Sequence, residues 1–494
     1  MAENQIRTGS SGDGGPKPAF MRTRPRRQVL VCFSCLFFVA LCHQSAILWA
    51  HRTDMTLVEQ VRLAGVVGAG GGGFPTHVKL AAQAEIVIAN GAECEPLLHK
   101  DAAVMEYSHA QLVRGVELVM DAVGATDGVI AIKAKKKHAV AAVQAAVRGS
   151  RVRVALLGDY YPAGDEYDLV YTITGKLIPP QGLPLQVGAV VNNVETLVNV
   201  AAAALGQPVT HKTITLAGAV QHPVTVTVPI GTSFREIIEA AAGGFATPDP
   251  VYCLGGLMMG EFQTNLEAPI TKTSTGVVVL PRQHPVIQRK LRPAAAQAGI
   301  GKSACDQCRY CTELCPRFLL GYAVEPHQVM RSLGFTATGA PYWNQYAPLC
   351  CACGLCTLFA CPEQLYPKEA CDAAKADLRK ANLKWSGSSE IKVHPMRDGR
   401  RVPIQSLAKR LGVLDYDVVA PLEQTTYAPR RVTLPLKHSA GVPNQPLVQA
   451  GDRVSAGQQI GRIPEKALGA VLHAPFAATV ESVTDQQIVL ARLS

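Results

Sequence analysis

Cys305-Asp-Gln-Cys308-Arg-Tyr-Cys311-Thr-Glu-Leu-Cys315-Pro316 and Cys350-Cys-Ala-Cys353-Gly-Leu-Cys356-Thr-Leu-Phe-Ala-Cys361-Pro362 are the stretches on which the reading of this chain turns. Each holds three cysteines at intervals of three and a fourth followed by proline. That spacing suits a [4Fe–4S] cluster, and in two-cluster arrangements the fourth cysteine of each run serves the other cluster. The expected ligand sets are therefore Cys305, Cys308, Cys311 and Cys361 for one cluster, and Cys350, Cys353, Cys356 and Cys315 for the other. The extra residue before Cys361 is tolerable, because that cysteine need not close on its own three. Zinc held by paired Cys-x2-Cys motifs is the competing reading, but two runs of three with a later Cys-Pro fit it poorly. Cys351 and Cys371 fall off register and are expected to be spare thiols.

Working outward, ten of the 15 cysteines lie between Cys305 and Cys371, three lie in residues 1–54, and Cys94 and Cys253 stand alone. A chain of 494 residues has enough material for hydrophobic cores, so such clustering points to metal and a reducing compartment rather than disulfide staples. The length is a loose prior for about three domains. Glycine and proline (43 and 33) are abundant without a period, which signals turns and excludes collagen. Of the net charge of +10, residues 1–54 carry +4. The remainder is too thin for a nucleic-acid surface, and no nucleic-acid partner is expected.

Residues 1–54 differ from the rest. A Gly/Ser/Pro-rich start is followed by Arg22, Arg24, Arg26 and Arg27 and an apolar run from Val29 to Leu41. That run is short for a membrane span and suits a signal core, and Arg26-Arg27 resembles a twin-arginine export signal. Against this, Met55 opens a well-patterned segment and no small-residue cleavage site precedes it. The expectation is that translation begins at Met55, with the upstream stretch a start-site artefact and no membrane span after it.

After the helix-like Thr56–Ala64 comes Gly65-Val-Val-Gly68-Ala-Gly70-Gly71-Gly72-Gly73-Phe74-Pro75. Glycines this dense let backbone N–H groups approach a phosphate without Cβ obstruction, and a following helix start adds a favourable dipole. Gly68-x-Gly70-x-x-Gly73 also fits a dinucleotide fingerprint, with Glu93 20 residues on, past the strand-like Glu85–Ala89. The preceding segment reads as helix rather than strand, which is not the usual context. Three polar blocks follow: Asn90-Gly-Ala-Glu93-Cys94-Glu95-Pro96, Tyr161-Pro-Ala-Gly164-Asp165-Glu166, and Val191-Asn192-Asn193-Val194-Glu195-Thr196.

The glycine loop and the three blocks, in this order, resemble the flavin region of the NADH- and FMN-binding subunit of respiratory complex I and of its relative, the RnfC component of the Rnf electron-transport complex. Gly72 stands where that family usually has Ala, and Asp165 where it has Glu. The resemblance implies FMN and NADH as ligands. Gly68, Gly70, Gly71, Gly73 and Lys79, with Asn192, Asn193 and Thr196, would hold the flavin phosphate. Asn90, Glu93, Glu95, Tyr161, Gly164, Asp165 and Glu166 would line the flavin and nicotinamide, and Phe74 would stack on a ring. No residue is assigned as a proton-transfer catalyst, and Cys94 is expected to pack passively.

Strand-like Thr213–Gly218 and Pro223–Pro229, a helix-like Ser233–Ala240 and the return Gly255-Gly256-Leu-Met-Met-Gly260 resemble the β-grasp module of the same families, to which no chemistry is assigned. Residues 432–494 resemble a lipoyl-type barrel-sandwich domain, with Lys466 near the position that is modified in lipoyl domains but off by one on each side. RnfC proteins carry this segment before the glycine loop, whereas here it comes last. That order, with the x4 spacing at Cys361, resembles the cobalamin reductases of propanediol-utilisation microcompartments.

The expected architecture is α/β multidomain. Residues 1–54 form an extension, 55–205 a Rossmann-like FMN/NADH domain and 206–290 an SLBB-type β-grasp domain. A helical two-[4Fe–4S] ferredoxin-like domain spans 291–385, a linker 386–431, and a barrel-sandwich hybrid domain 432–494. The expected function is an oxidoreductase moving electrons from NADH through FMN and two [4Fe–4S] clusters to cobalamin or a corrinoid-handling protein. The setting would be the cytoplasm, inside a microcompartment and among its proteins. The alternatives are an RnfC-type component exchanging electrons with ferredoxin, and a non-catalytic electron-transfer module.

Overall fold

A computed structural model describes residues 55–334 and 345–493. The expectations for residues 1–54 fall outside them. Helix α1 (Leu57–Leu63) starts at a capping box: Thr56 Oγ1 accepts from Glu59 N–H, and the Glu59 carboxylate accepts from Thr56 N–H at 3.0 Å. The glycine loop then runs into the short α2 (Thr76–Leu80), so it lies between two helices, as the sequence pattern indicated.

Next come β1 (Ile86–Gly91), α3 (Lys100–Tyr107), α4 (His109–Val123), β2 (Asp127–Lys133), α5 (Lys137–Ala146) and β3 (Val152–Leu157). The short β4 (Tyr160–Tyr161), α6 (Glu166–Thr174), β5 (Ala189–Asn193) and α7 (Val194–Ala204) complete the flavin half. Strands β3-β2-β1-β5 make a parallel sheet in that order. Its inner strands are almost continuously buried, as helix-covered parallel strands require. Helix α4 turns Leu112, Val116, Val119, Met120 and Val123 inward at helical spacing. Gly115 lets α4 close on α7, since a Cβ there would meet the Leu197 carbonyl oxygen at 2.0 Å.

The second sheet is mixed and is built on β6 (His211–Gly218) and β7 (Val224–Pro229). Helix α8 (Phe234–Ala241), β8 (Pro250–Leu254), β9 (Glu261–Gln263) and β10 (Gly276–Pro281) follow. Phe234, Ile237 and Ile238 of α8 pack on Ile214, Val226, Val277 and Val279. Short helices then frame the cysteine runs, among them Tyr310–Glu313, Pro316–Leu319, Pro326–Ser332 and Pro367–Lys380.

Residues 386–431, expected as a linker, are structured chain. Strand β11 (Val402–Pro403) pairs with β4, and β12 (Leu422–Glu423) adds to the edge of the second sheet beside β7. Helix Ile404–Leu411 buries Leu407 and Leu411 against Val278, Val286 and Leu358. The signal was there in the spacing of Ile404, Leu407, Ala408 and Leu411.

The C-terminal strands are β13 (Arg431–Pro435), β14 (Gln445–Pro446), β15 (Arg453–Val454), β16 (Gln459–Arg462), β17 (Leu472–His473), β18 (Ala478–Val483) and β19 (Gln487–Arg492). They form two antiparallel sheets, β13-β19-β18-β15 and β14-β16-β17. Their core residues Val432, Leu434, Ile460 and Leu490 belong to one hydrophobic cluster with Val61, Leu112 and Leu197 of the flavin half. Lys466 is exposed in the turn between β16 and β17, with φ 63°.

Candidate functional site

Strands β1 and β5 are neighbours, and the sheet order reverses at that pair. Their carboxyl ends carry Asn90 and Asn193 in register, with Asn192 opposite Ala89. A crevice at such a switch point is where open α/β sheets bind ligands. The glycine loop is pinned across it. Gly68 N–H donates to Phe74 O at 2.9 Å, Gly73 N–H to Gly68 O at 3.1 Å, and Ala69 N–H to Thr196 Oγ1 at 2.9 Å. A Cβ at Gly71 or Gly72 would meet nothing within 4 Å, so this backbone faces open space. Gly73 is needed for another reason: its φ is +61° and a Cβ would strike Thr273 at 2.7 Å. Phe74 is about a third exposed beside the loop.

Two buried polar atoms at the site have no partner among the described residues, Asn192 Nδ2 and Thr76 Oγ1. Buried donors are rarely left unpaired. With the open Gly71–Gly72 backbone they fit a bound phosphate-bearing group such as FMN. Asn193 and Thr196, expected as phosphate donors, are instead committed to the protein: Asn193 Nδ2 donates to both Asp101 oxygens at 3.0 Å, and Thr196 holds Ala69. Lys79 donates to Val191 O at 2.7 Å and lies 3.6 Å from Glu166, with both side chains partly exposed.

Beneath the loop lies a charge network that the sequence did not reveal. Glu195 accepts from Lys100 at 2.8 Å, from Thr213 N–H at 3.1 Å, and from Lys212, which also donates to Ala69 O at 3.0 Å. Lys100 pairs in addition with Asp101 at 2.6 Å. Burial opposes the charge on Glu195, yet the two ammonium groups hold its carboxyl below the usual range. Burial also lowers Lys212 to about 8, despite Glu195. Lys272 is buried with carbonyls as its partners, Gly65 O at 2.7 Å and Val471 O at 2.9 Å, and desolvation lowers it to about 7. Lys212 and Lys272 come from the β-grasp segment, to which the sequence assigned no chemistry. Through them it fixes both ends of the first half of the loop, while Ala440 N–H of the C-terminal domain donates to Gly73 O at 3.0 Å.

The acidic blocks divide in space. Glu93 accepts from Asp101 N–H at 2.6 Å and lies 3.3 Å from Lys136, and burial raises its carboxyl. Glu95 does not face the crevice freely: its oxygens accept from Met258 N–H at 2.9 Å and Met259 N–H at 2.8 Å, and burial raises it to about 7. Asn90 ties β1 to the next block by donating to Gly164 O at 3.0 Å, and Gly164 N–H donates to Cys94 Sγ. Burial pushes the Cys94 thiol up to about 11, as passive packing requires. Tyr161 and Asp165, expected at the flavin, instead face the cysteine runs. Tyr161 O–H donates to Cys353 O at 2.6 Å, and Asp165 pairs with Arg317 at 2.8 Å. Glu166 alone of that block stays half-exposed beside Lys79. Sequence reasoning also passed over Lys133, Lys135 and Lys136, which follow β2 at the same edge; a basic run directly after a buried parallel strand was the available signal.

Cys305, Cys308, Cys311 and Cys361 line one small cavity with His327 and Met330. Cys315, Cys353 and Cys356 are buried, and Cys356 lies within electrostatic reach of Cys350 and Cys315. Among the described residues no three such side chains converge on a single ion. The thiols wall cavities instead of closing a zinc-type tetrahedron, and a four-iron cluster fits that arrangement. The extra residue before Cys361 is absorbed by one π-helical turn, Cys356–Ala360, closed by Cys361 N–H to Cys356 O at 3.1 Å. Cys371 is fully buried and donates to Cys350, holding that thiol below its ordinary value, while Cys351 contacts Cys353. Neither off-register cysteine is isolated.

Comparison with known proteins divides the chain in the same way. Residues 61–202 match the Nuo51 FMN-binding domain, 213–262 the SLBB domain, 304–366 the 4Fe-4S dicluster domain, and 419–492 the RnfC barrel sandwich hybrid domain. The chain is 42% identical over 435 residues to the cobalamin reductase PduS of Salmonella typhimurium, covering 88% of this chain and 96% of that protein. It is 40% identical over 438 residues to the PduS of Citrobacter freundii, with the same coverage. The RnfC-type component of the proton-translocating ferredoxin:NAD(+) oxidoreductase complex of Clostridium ljungdahlii is 35% identical over 278 residues, 55% of this chain and 58% of that one.

Proposed function

We infer the activity from the premise that this chain belongs to the cobalamin reductase PduS family. It is an oxidoreductase of that kind, with an FMN-binding domain and a [4Fe–4S] dicluster domain. The proposed reaction is NADH-dependent reduction of cobalamin, free or on a corrinoid-handling protein. The observation that carries it is the 42% identity across 96% of the relative's length. The Rnf-type alternative has less support, since that relative is matched over 58% of its length.

FMN, when bound, accepts electrons in pairs and releases them singly, which matches a two-electron donor to one-electron clusters. The chain's own part is placement. Gly70–Gly73 would present open backbone to the phosphate, with Asn192 and Thr76 as free donors, while Lys212 and Thr196 hold the Ala69 peptide from both sides. Glu93 and Glu166 would meet the nicotinamide nucleotide. Cys305, Cys308, Cys311 and Cys361 would hold one cluster, and Cys315, Cys350, Cys353 and Cys356 the other. Among the described residues no helix is long and apolar enough to cross a membrane. The family resemblance supports a cytoplasmic setting in a propanediol-utilisation-type microcompartment.

The test is NADH oxidation by the reconstituted protein with and without FMN, using cob(III)alamin and ferricyanide as acceptors. Both should be reduced, in a flavin-dependent way. Absence of NADH oxidation refutes the donor, and ferricyanide reduction without cobalamin reduction refutes the acceptor.

A further inference from the structure

Asp165 belongs to the flavin half and caps α6, its side chain accepting from Asp168 N–H at 3.4 Å. Its Oδ1 is turned the other way and accepts from Arg317 Nη2 at 2.8 Å, with the two side chains 9% and 10% exposed. Arg317 stands two residues after Cys315. The backbone N–H groups of Phe318 and Arg317 lie against the Cys315 sulfur, and Cys351 is within electrostatic reach of the guanidinium. The guanidinium carbon stacks 3.5 Å from the centre of the Tyr167 ring, which fixes its plane, and its buried Nε has no hydrogen-bond partner among the described residues.

A buried guanidinium two residues from a cluster ligand is a fixed positive charge beside that cluster. Its carboxylate partner is a fixed negative charge of the same order of influence. Burial leaves both poorly screened. Reduction adds an electron to the cluster, so the cation favours the reduced form and the anion opposes it; charge and hydrogen bonding to the sulfurs are what set such potentials.

We propose that Asp165 and Arg317 form a tuning pair, set across the boundary between the flavin and cluster regions, whose opposed charges set the reduction potential of the cluster held by Cys315, Cys350, Cys353 and Cys356. This rests on the dicluster reading of the two cysteine runs. It also gives the departure from Glu at position 165 a role: the shorter side chain caps α6 and still meets Arg317.

The experiment is a potentiometric EPR titration of the reconstituted holoprotein carrying Asp165→Asn, Arg317→Gln, or both. Asp165→Asn leaves the guanidinium unneutralised, so one of two cluster signals moves to higher potential. Arg317→Gln leaves the carboxylate unneutralised, so the same signal moves lower. Each shift should amount to at least about a threefold change in the one-electron equilibrium constant. The double variant leaves no buried unpaired charge and should return close to the wild-type potential. A merely structural role would move both single variants the same way. Shifts of one sign, no shift in any variant, or a double variant displaced as far as a single one would overturn the proposal. So would a shift confined to the signal that Cys308→Ser abolishes. A wild-type protein with fewer than two cluster signals would refute the dicluster reading instead, which separates the two failures.

Discussion

Replacing Lys212 with Met removes the ammonium that joins the β-grasp segment to the glycine loop. Two bonds are lost, one to Ala69 O at 3.0 Å and one to Glu195. Glu195 is not abandoned, because Lys100 at 2.8 Å and Thr213 N–H at 3.1 Å still hold it. The global loss should therefore fall short of the roughly 3–5 kcal/mol typical of a broken buried ion pair. The local loss is one charge-assisted hydrogen bond on a loop that must keep one shape to receive a phosphate, about 1.5–3 kcal/mol. If that shape is needed for binding, FMN affinity drops by about one to two powers of ten. The assay is quenching of FMN fluorescence on titration with flavin-free protein, with iron content and thermal midpoint measured on the same preparation. Iron content should stay at the wild-type level, because the cysteine runs begin more than 90 residues beyond Lys212 in the chain. Unchanged flavin affinity in a protein that keeps its fold would refute the claim that Lys212 sets the loop for binding.

Lys79→Ala should weaken FMN binding by less than Lys212→Met, since Lys79 is partly exposed and already shared between Val191 O and Glu166; the same titration checks it, and a larger loss would make Lys79 the main phosphate partner. Cys308→Ser should halve the iron from about eight to about four per chain while FMN still binds, measured by iron assay and flavin absorbance. Glu95→Gln should flatten the pH dependence of stability. Burial raises the folded carboxyl from 4.5 to about 7, so the unfolded chain releases this proton first. Its contribution therefore falls as pH rises from about 4.5 to 7, by up to about 3 kcal/mol. Denaturation midpoints of both proteins across that range decide it, and parallel curves would show that Glu95 carries no such linkage.

The cluster residues were legible because their signal is local: three ligands of one cluster sit within seven residues of chain, and ligand geometry imposes that spacing whatever surrounds it. The glycine loop was legible for a similar reason, since a backbone that must approach a ligand excludes side chains over consecutive positions. The x4 spacing at Cys361 could be seen but not explained; the π-helical turn that absorbs it is a matter of backbone hydrogen bonding. The direction in which each polar side chain points was not legible at all. Asp165 and Glu166 are adjacent acids, yet one pairs with Arg317, 152 residues away, and the other with Lys79.

What the sequence determined by itself is therefore the set of chemistries: thiol runs for clusters, a glycine loop for a phosphate, a parallel-sheet half and an all-β end. Tertiary structure alone decided how those parts address one another. Lys100, Lys212 and Lys272 resemble surface lysines in composition, but each is 2% exposed or less, with partners drawn from distant segments. A charge can be buried only where a counter-charge or carbonyl waits for it. Whether one waits depends on which strands lie side by side, and a linear pattern of residues does not carry that information.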